Sequence, residues 1–378
     1  MKKILLATLL FCFIVAEDEF FEPTTSIGGY GELHYDMKKT DDFDNEIGKL
    51  DFHRFIFYIK HQFSPKWSMM SEIEIEHNMV YSEGDGGYLA MEQAHLNYWN
   101  GKWGWQGGVI LVPSGIINEY HEPPTFMSVE RPEYNKYIIP TTWFDNGFAF
   151  YGTMSDFNWK VAFTGDLDGD AISDGIRDAR MKGVSSTTTS WTKTVQGSWT
   201  GITGLKVGGS MTMNDAPTSA VEASTEYTWE RYEIMNDAGE GTGEFGWHEV
   251  EHVTEAKDAG KVGVALTEFN ATYAANNLYA RLEYGMIDYT DNPGGVESSS
   301  GYYLDLGYDI ADLIGCGDDT NLYLWMRTSA YNKDDAKDAK KITLYGVTYK
   351  PMNNMSFKFE TGTAGDDDVM RVGLGYMF

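Results

Sequence analysis

The chain has 378 residues, a formal net charge of −28 and 15% aromatic residues. A mean hydropathy of −0.38, with no long apolar run beyond residue 16, excludes a helical membrane protein. Acidity without a basic patch argues against nucleic acid as a partner, and two cysteines, Cys12 and Cys316, leave no disulfide framework or cysteine-based zinc site.

Lys2 and Lys3 precede an apolar stretch from Ile4 to Val15, which predicts a secretory signal peptide over 1–16, cleaved after Ala16. Residues 17–25 then read as a short periplasmic segment. From residue 26 the pattern turns to alternation with period two. Ile27, Gly29, Gly31, Leu33 and Tyr35 share one face, and Tyr30, Glu32, His34 and Asp36 share the other. The same alternation predicts strands at 26–37, 49–62, 66–78, 87–99, 103–112, 146–153, 157–166, 189–200, 204–214, 261–275, 277–290, 301–313, 320–331, 340–350, 355–364 and 369–378.

Short turns fall at Ser64-Pro65, Asn100-Gly101, Ser155-Asp156, Gly201-Ile202, Ala275-Asn276, Gly315-Cys316 and Asn353-Asn354. Between them lie longer polar connections at 38–48, 79–86, 113–145, 167–188, 215–260, 291–300 and 332–339, with a brief one at 365–368. Alternating short and long connections is the habit of outer-membrane barrels, which have short periplasmic turns and longer outer loops. The expected fold is therefore all-β: a transmembrane antiparallel β-barrel of about sixteen strands over 26–378. Leu374, Tyr376 and Phe378 share one face of the last strand. A terminal aromatic there resembles the signal read by the barrel assembly machinery. Trp67, Trp191 and Trp199 near strand ends fit aromatic girdles beside the lipid.

Three blocks carry a family resemblance. They are DFHRFIFYIKHQFSPKWSMMSEIEIEH at 51–77, the VPSGIINEY, HEPPTF, VERPEYNKYIIP and TTW pieces within 106–143, and GVTYKPMNNMSFKFE at 346–360. Together they are similar to porins of the phosphate-selective O and P type, especially the forms of Bacteroidota-like bacteria. The resemblance implies a sixteen-stranded, usually trimeric barrel with its third loop folded into the pore. Here that loop is 113–145, stiffened by Pro113, Pro123, Pro124, Pro132 and Pro140. It brings Glu119, His121, Glu122, Glu130 and Arg131 to the expected constriction.

Alternation assigns the pore lining. Ile73 and Ile75 would face lipid, so Glu72, Glu74 and Glu76 face the lumen. Arg54, Tyr58 and Lys60 face it from the preceding strand, and Gln93, His95 and Asn97 from the following one. Arg281, Glu283, Arg327, Lys358 and Arg371 complete a lining of mixed sign. The family's phosphate-specific members use a ladder of arginines, and no dense arginine run occurs here. The long connection 215–260 carries Asp215, Glu222, Glu226, Glu230, Glu233, Asp237, Glu240, Glu244, Glu249, Glu251, Glu255 and Asp258 against Arg231 and Lys257. An acidic vestibule concentrates cations within a Debye length of about 10 Å.

These readings give a passive porin for small hydrophilic solutes and ions, with a weak cation preference. The alternatives are an anion- or phosphate-selective porin, and a barrel that anchors a surface-binding or adhesive protein. No enzyme and no cofactor are expected, because no spacing suggests a nucleophile with its base. DLDGDAISDG, with Asp166, Asp168, Asp170 and Asp174, hints at a calcium loop, but Ala171 and Arg177 occupy the places of the needed glycine and bidentate acid. His248 and His252, four apart, lack the order of a metalloprotease motif.

Overall fold

A computed structural model describes residues 21–39, 46–78, 87–235, 241–317 and 319–378; the expected signal peptide lies outside them. In chain order the strands are β1 (Thr24–Lys39), β2 (Glu46–Gln62), β3 (Trp67–Glu76), β4 (Leu89–Trp99), β5 (Trp103–Leu111), β6 (Phe144–Met154), β7 (Phe157–Thr164), β8 (Thr192–Ile202) and β9 (Leu205–Thr218). They continue with β10 (Ser224–Met235), β11 (Gly241–Thr254), β12 (Gly260–Ala275), β13 (Leu278–Thr290), β14 (Ser298–Asp309), β15 (Asn321–Asn332), β16 (Lys340–Met352), β17 (Met355–Ala364) and β18 (Asp367–Met377). Sixteen of them form one closed antiparallel barrel, each beside its sequence neighbour except that β9 pairs directly with β12. Closure joins β1 to β18 in the register Leu33↔Leu374, and the Gly29 amide donates to the Phe378 carbonyl at 3.0 Å.

All sixteen expected strands are present. Two expectations about their surroundings are corrected. The connection 215–260, expected as a long acidic loop, contains β10 and β11, which pair as a separate two-stranded hairpin between β9 and β12. The strand expected over 301–313 ends at Asp309, and Asp312–Ile314 form a single 3-10 turn. There Asp309 accepts the Ala311 and Leu322 amides, which ties off the strand end.

Period-two alternation sorts the two faces. Ile27, Leu96, Phe150, Val195, Phe269, Leu282, Leu306, Leu324, Tyr345 and Phe357 point outward and stay exposed on the isolated chain. An apolar surface that wide needs a non-aqueous partner. The inward face carries buried charge, including Glu32, Arg54, Glu72, Glu74, Glu268, Glu283, Asp305, Arg327, Lys358 and Glu360.

Register shifts in β2 and β4 re-aim side chains near the inward segment. Glu32 pairs with Arg54 while Leu33 pairs with Phe52, which leaves His53 as the extra residue of β2. Glu72 pairs with Gln93 while Ile73 pairs with Met91, which leaves Glu92 extra in β4. A bulge re-aims side chains by one position. It keeps Met91 and Leu89 outside and turns Glu92 in, where it is fully buried.

Candidate pore and constriction

The connection between β5 and β6 is an ordered segment with two single-turn helices, α1 (Ile116–Glu119) and α2 (Tyr134–Tyr137), around a 3-10 turn at Pro123–Thr125. Gly115, at φ 78°, sits in the left-handed region where the chain turns into α1. Asn118 ties the two ends together. Its Nδ2 donates to the carbonyls of Val112 and Trp143 at 2.8 and 3.1 Å, and its Oδ1 accepts the Trp143 amide at 2.8 Å.

Side chains from opposite walls hold the segment. From one wall Lys358 Nζ donates to the carbonyls of Pro123 and Ser128 at 2.6 and 2.7 Å, and Lys350 Nζ to Pro124 at 2.6 Å. Thr348 donates to Met127 O at 2.6 Å, and Arg281 to Thr125 O at 3.0 Å. The carboxylates of Glu360 and Glu283 accept the amides of Val129 and Ile116 at 2.7 and 3.3 Å. From the other side His34 meets Glu130 at 2.9 Å, and Tyr58 donates to Glu122 at 3.4 Å. Glu119 accepts from Lys160 at 3.3 Å and from Gln196 at 2.5 Å.

Close approach is permitted by glycines. A Cβ on Gly373 would meet Val129 at 2.9 Å, one on Gly301 would meet Tyr134 at 2.9 Å, and one on Gly375 would strike Pro123.

This geometry changes what the predicted residues do. Arg281, Glu283, Arg327 and Lys358, expected to line the pore, are covered by the segment. Arg327 makes a two-pronged contact with Asp305 at 2.6 and 2.7 Å, both groups buried. Arg54, expected to face the lumen, pairs there with Glu32 at 2.6 Å and Glu74 at 3.3 Å. Glu72 accepts from Gln93 at 2.6 Å. His121 lies 3.4 Å from Glu72 and 3.6 Å from Glu92, and Arg131 donates to the His121 carbonyl at 3.1 Å. Burial alone would raise the Glu130 carboxyl, but the hydrogen bond and charge of His34 outweigh it and hold that group well below the usual carboxylate range.

Cavities lie on both sides of the segment. At the end of the long connections a cavity of about 400 Å³ is lined by Glu76, Arg131, Lys136, Arg177 and Lys182, among others. In that lining eight lysines and arginines (Arg54, Arg131, Lys136, Arg177, Lys182, Arg327, Lys340 and Arg371) face four acids (Asp36, Glu76, Glu130 and Glu133). Lys182 sits 5.5 Å from the ring centroids of both Tyr88 and Phe144. Burial, reinforced by the like charge of Arg180, pushes its ammonium below the usual lysine range. At the end of the short turns, a cavity of about 370 Å³ takes in Lys60, His95 and Asn97, and one of about 420 Å³ lies beside Tyr120 and Lys206.

The aspartates of the suspected calcium loop go to separate partners. Asp166 accepts from Thr187, Thr189, Ser190 and Asn214, Asp168 caps Asp170, Asp170 accepts the Ser219 amide, and Asp174 pairs with Lys333 at 2.6 Å. They do not converge on a cation. His248 and His252 sit on the exposed hairpin, where His252 bonds Thr228 at 2.8 Å and His248 packs on Tyr232. Sequence reasoning missed His53 and Glu92, because a bulge leaves no mark on alternation. It placed Glu32 on the polar face of the first strand but gave it no part in the pore lining.

No protein-family model matches the chain. A curated protein of Aquifex aeolicus (strain VF5), described as an uncharacterized protein, is 44% identical over 137 residues, 36% of this chain and 31% of that one. The match thus spans under a third of that relative's length. Among solved structures, Salmonella typhi OmpF in complex with daunomycin aligns at TM-score 0.58 and 13% identity, over 94% of this chain and 97% of its own. The anion-selective porin from Comamonas acidovorans aligns at TM-score 0.58 and 10% identity, over 94% and 100%. In-vitro folded OmpT, an outer membrane protein of Vibrio cholerae in trimer form, aligns at 0.55 and 12%, over 95% and 100%. The architecture is that of outer-membrane porins: a closed, sixteen-stranded antiparallel β-barrel.

Proposed function

We propose that the chain is a porin of the outer membrane of a Gram-negative-type bacterium, passed passively by small hydrophilic solutes and ions. One observation carries the reading: a closed sixteen-strand barrel, apolar outside and charged inside, with cavities on both sides of a segment that crosses its interior. A barrel of that strand number leaves an aqueous lumen, and residues 112–143 narrow it. A homotrimer, export through the periplasm behind the 1–16 signal, and assembly through Phe378 belong to the same reading. The porin neighbours support it at the level of fold.

A second reading, an anion-selective pore, is favoured by the lining of the outer cavity. Lys136, Arg177 and Lys182 reach that cavity with no carboxylate in ion-pair contact among the described residues. Rings of positive charge select anions. The phosphate-porin resemblance of 106–143 points the same way, and the acidic 215–260 connection points against it.

Single-channel current in a planar bilayer under a potassium chloride gradient tests both. Ohmic steps are expected. A reversal potential displaced toward chloride supports the anion reading, and one displaced toward potassium supports the cation preference read from the sequence. Properly folded protein that gives no steps overturns the channel.

A further inference from the structure

His121, Glu72 and Glu92 come from three elements: the inward segment, β3 and the bulge of β4. All three are buried, and each offers one ligand-type atom within 4.8 Å of the others. His121 Nδ1 lies 3.1 Å from the Asn118 carbonyl. A carbonyl can only accept, so Nδ1 carries the hydrogen and Nε2 is the ring atom that faces the two carboxylates. Glu72 is held through its other oxygen by Gln93 at 2.6 Å.

The inner atoms are left over. His121 Nε2, Glu72 Oε1 and both Glu92 oxygens are buried, and no hydrogen bond of good geometry reaches them from outside this group of His121 and the three glutamates. Buried polar atoms are normally satisfied, so such a group marks an absent partner. Arg54 reaches this group but divides itself between Glu74 and Glu32.

We propose that His121, Glu72 and Glu92 bind one divalent transition-metal ion, which clamps the inward segment to the wall at β3 and β4. The spacing fits: ligands bonded at about 2.0–2.1 Å in a tetrahedron lie about 3.4 Å apart, and the Nε2 to carboxylate separations are 3.4 and 3.6 Å. Imidazole with carboxylates suits zinc and its first-row neighbours. An Nδ1–H to carbonyl bond is the usual outer support of a ligating histidine. Glu74, within hydrogen-bond reach of Glu92, stands beside the trio. The inference does not depend on conduction.

Zinc ion is the probe. Protein folded with zinc and then desalted is measured for metal content, and folding of each sample is checked by its heat-dependent gel migration. Wild type is expected to retain about one zinc per chain. Glu92→Gln and His121→Asn should weaken retention by at least about tenfold. His34, His53 and His77 form a separate histidine cluster, with ring centroids 4.9 Å (His34 to His53) and 5.3 Å (His53 to His77) apart, and His53→Asn there should retain it. X-ray absorption of the wild type needs no variant and should give a nitrogen–oxygen shell at about 2.0–2.1 Å with imidazole in it. Folded wild type that takes up no zinc overturns the proposal in favour of a proton shared within the trio. Zinc lost by His53→Asn and kept by Glu92→Gln overturns it in favour of the histidine cluster.

Discussion

The Arg327–Asp305 pair shows what single charges do inside this barrel. Both groups are almost wholly buried, and the fork of the guanidinium meets both carboxylate oxygens. Such a pair adds little over an apolar one, but removing one member strands the other at a cost of about 3–5 kcal/mol. Arg327→Met should therefore lower the stability of the folded barrel by about that amount, read from urea unfolding in detergent or vesicles. Adding Asp305→Asn should restore most of it, because no buried charge is then left alone. Equal loss in the single and the double variant would mean that the contact of Arg327 with the Glu130 carbonyl, 3.4 Å away, matters more than the ion pair. Alternation placed Arg327 on the inner face, and Asp305 stands opposite it in β14. Alternation gave no sign that they pair with each other and lie under the inward segment, because that depends on contacts across the barrel. His53 and Glu92 mark the opposite limit, since a one-residue bulge reverses the face of a side chain without changing its neighbours in sequence.

At the scale of elements, the strands were the legible part. Sixteen alternating runs with short and long connections have one consistent solution, and the expected boundaries fall within a few residues of β1–β9 and β12–β18. The hairpin β10–β11 went unread because its acidic residues are interleaved with Tyr227, Trp229, Phe245 and Trp247, all exposed, so neither of its faces looks like a buried one. The position of 112–143 depends on small residues elsewhere in the chain. Gly373 and Gly375 of β18 and Gly301 of β14 leave a trough into which Val129, Pro123 and Tyr134 fit. Lys358 then holds two carbonyls of the segment. Gly375→Leu should push the segment off that wall. Lys358→Met should release the same stretch without filling the trough. Both are expected to change single-channel conductance, with Lys358→Met raising it and adding current noise, while the barrel keeps its heat-dependent migration. Unchanged conductance in both would mean that the narrowest point of the path lies away from residues 123–129.

For the whole molecule the question is which charge an ion meets along its path. The chain carries −28 overall, yet the cavity above the inward segment is lined by more lysine and arginine than acid. Much of the acid lies in the connection 215–260, whose hairpin is exposed throughout β10 and pairs with itself. Charge in open solvent is screened over about 10 Å, whereas charge in a narrow, low-dielectric passage is not. The cavity should therefore govern selectivity and the hairpin should add little at physiological salt. The fold allows a direct test, because β9 and β12 already pair from Leu205↔Tyr273 up to Thr218↔Gly260. Replacing 222–257 with a short turn should leave a closed barrel of sixteen strands. The excision removes Glu222, Glu226, Glu230, Glu233, Asp237, Glu240, Glu244, Glu249, Glu251 and Glu255 with two cations, Arg231 and Lys257. If the cavity governs, the reversal potential in 0.15 M salt stays where it was, and a shift toward chloride emerges only at low ionic strength, where the Debye length reaches about 30 Å at 0.01 M. A large shift at both salt concentrations would place the selecting charge on the hairpin, and the basic cavity would then be a passage that ions cross after they have been sorted.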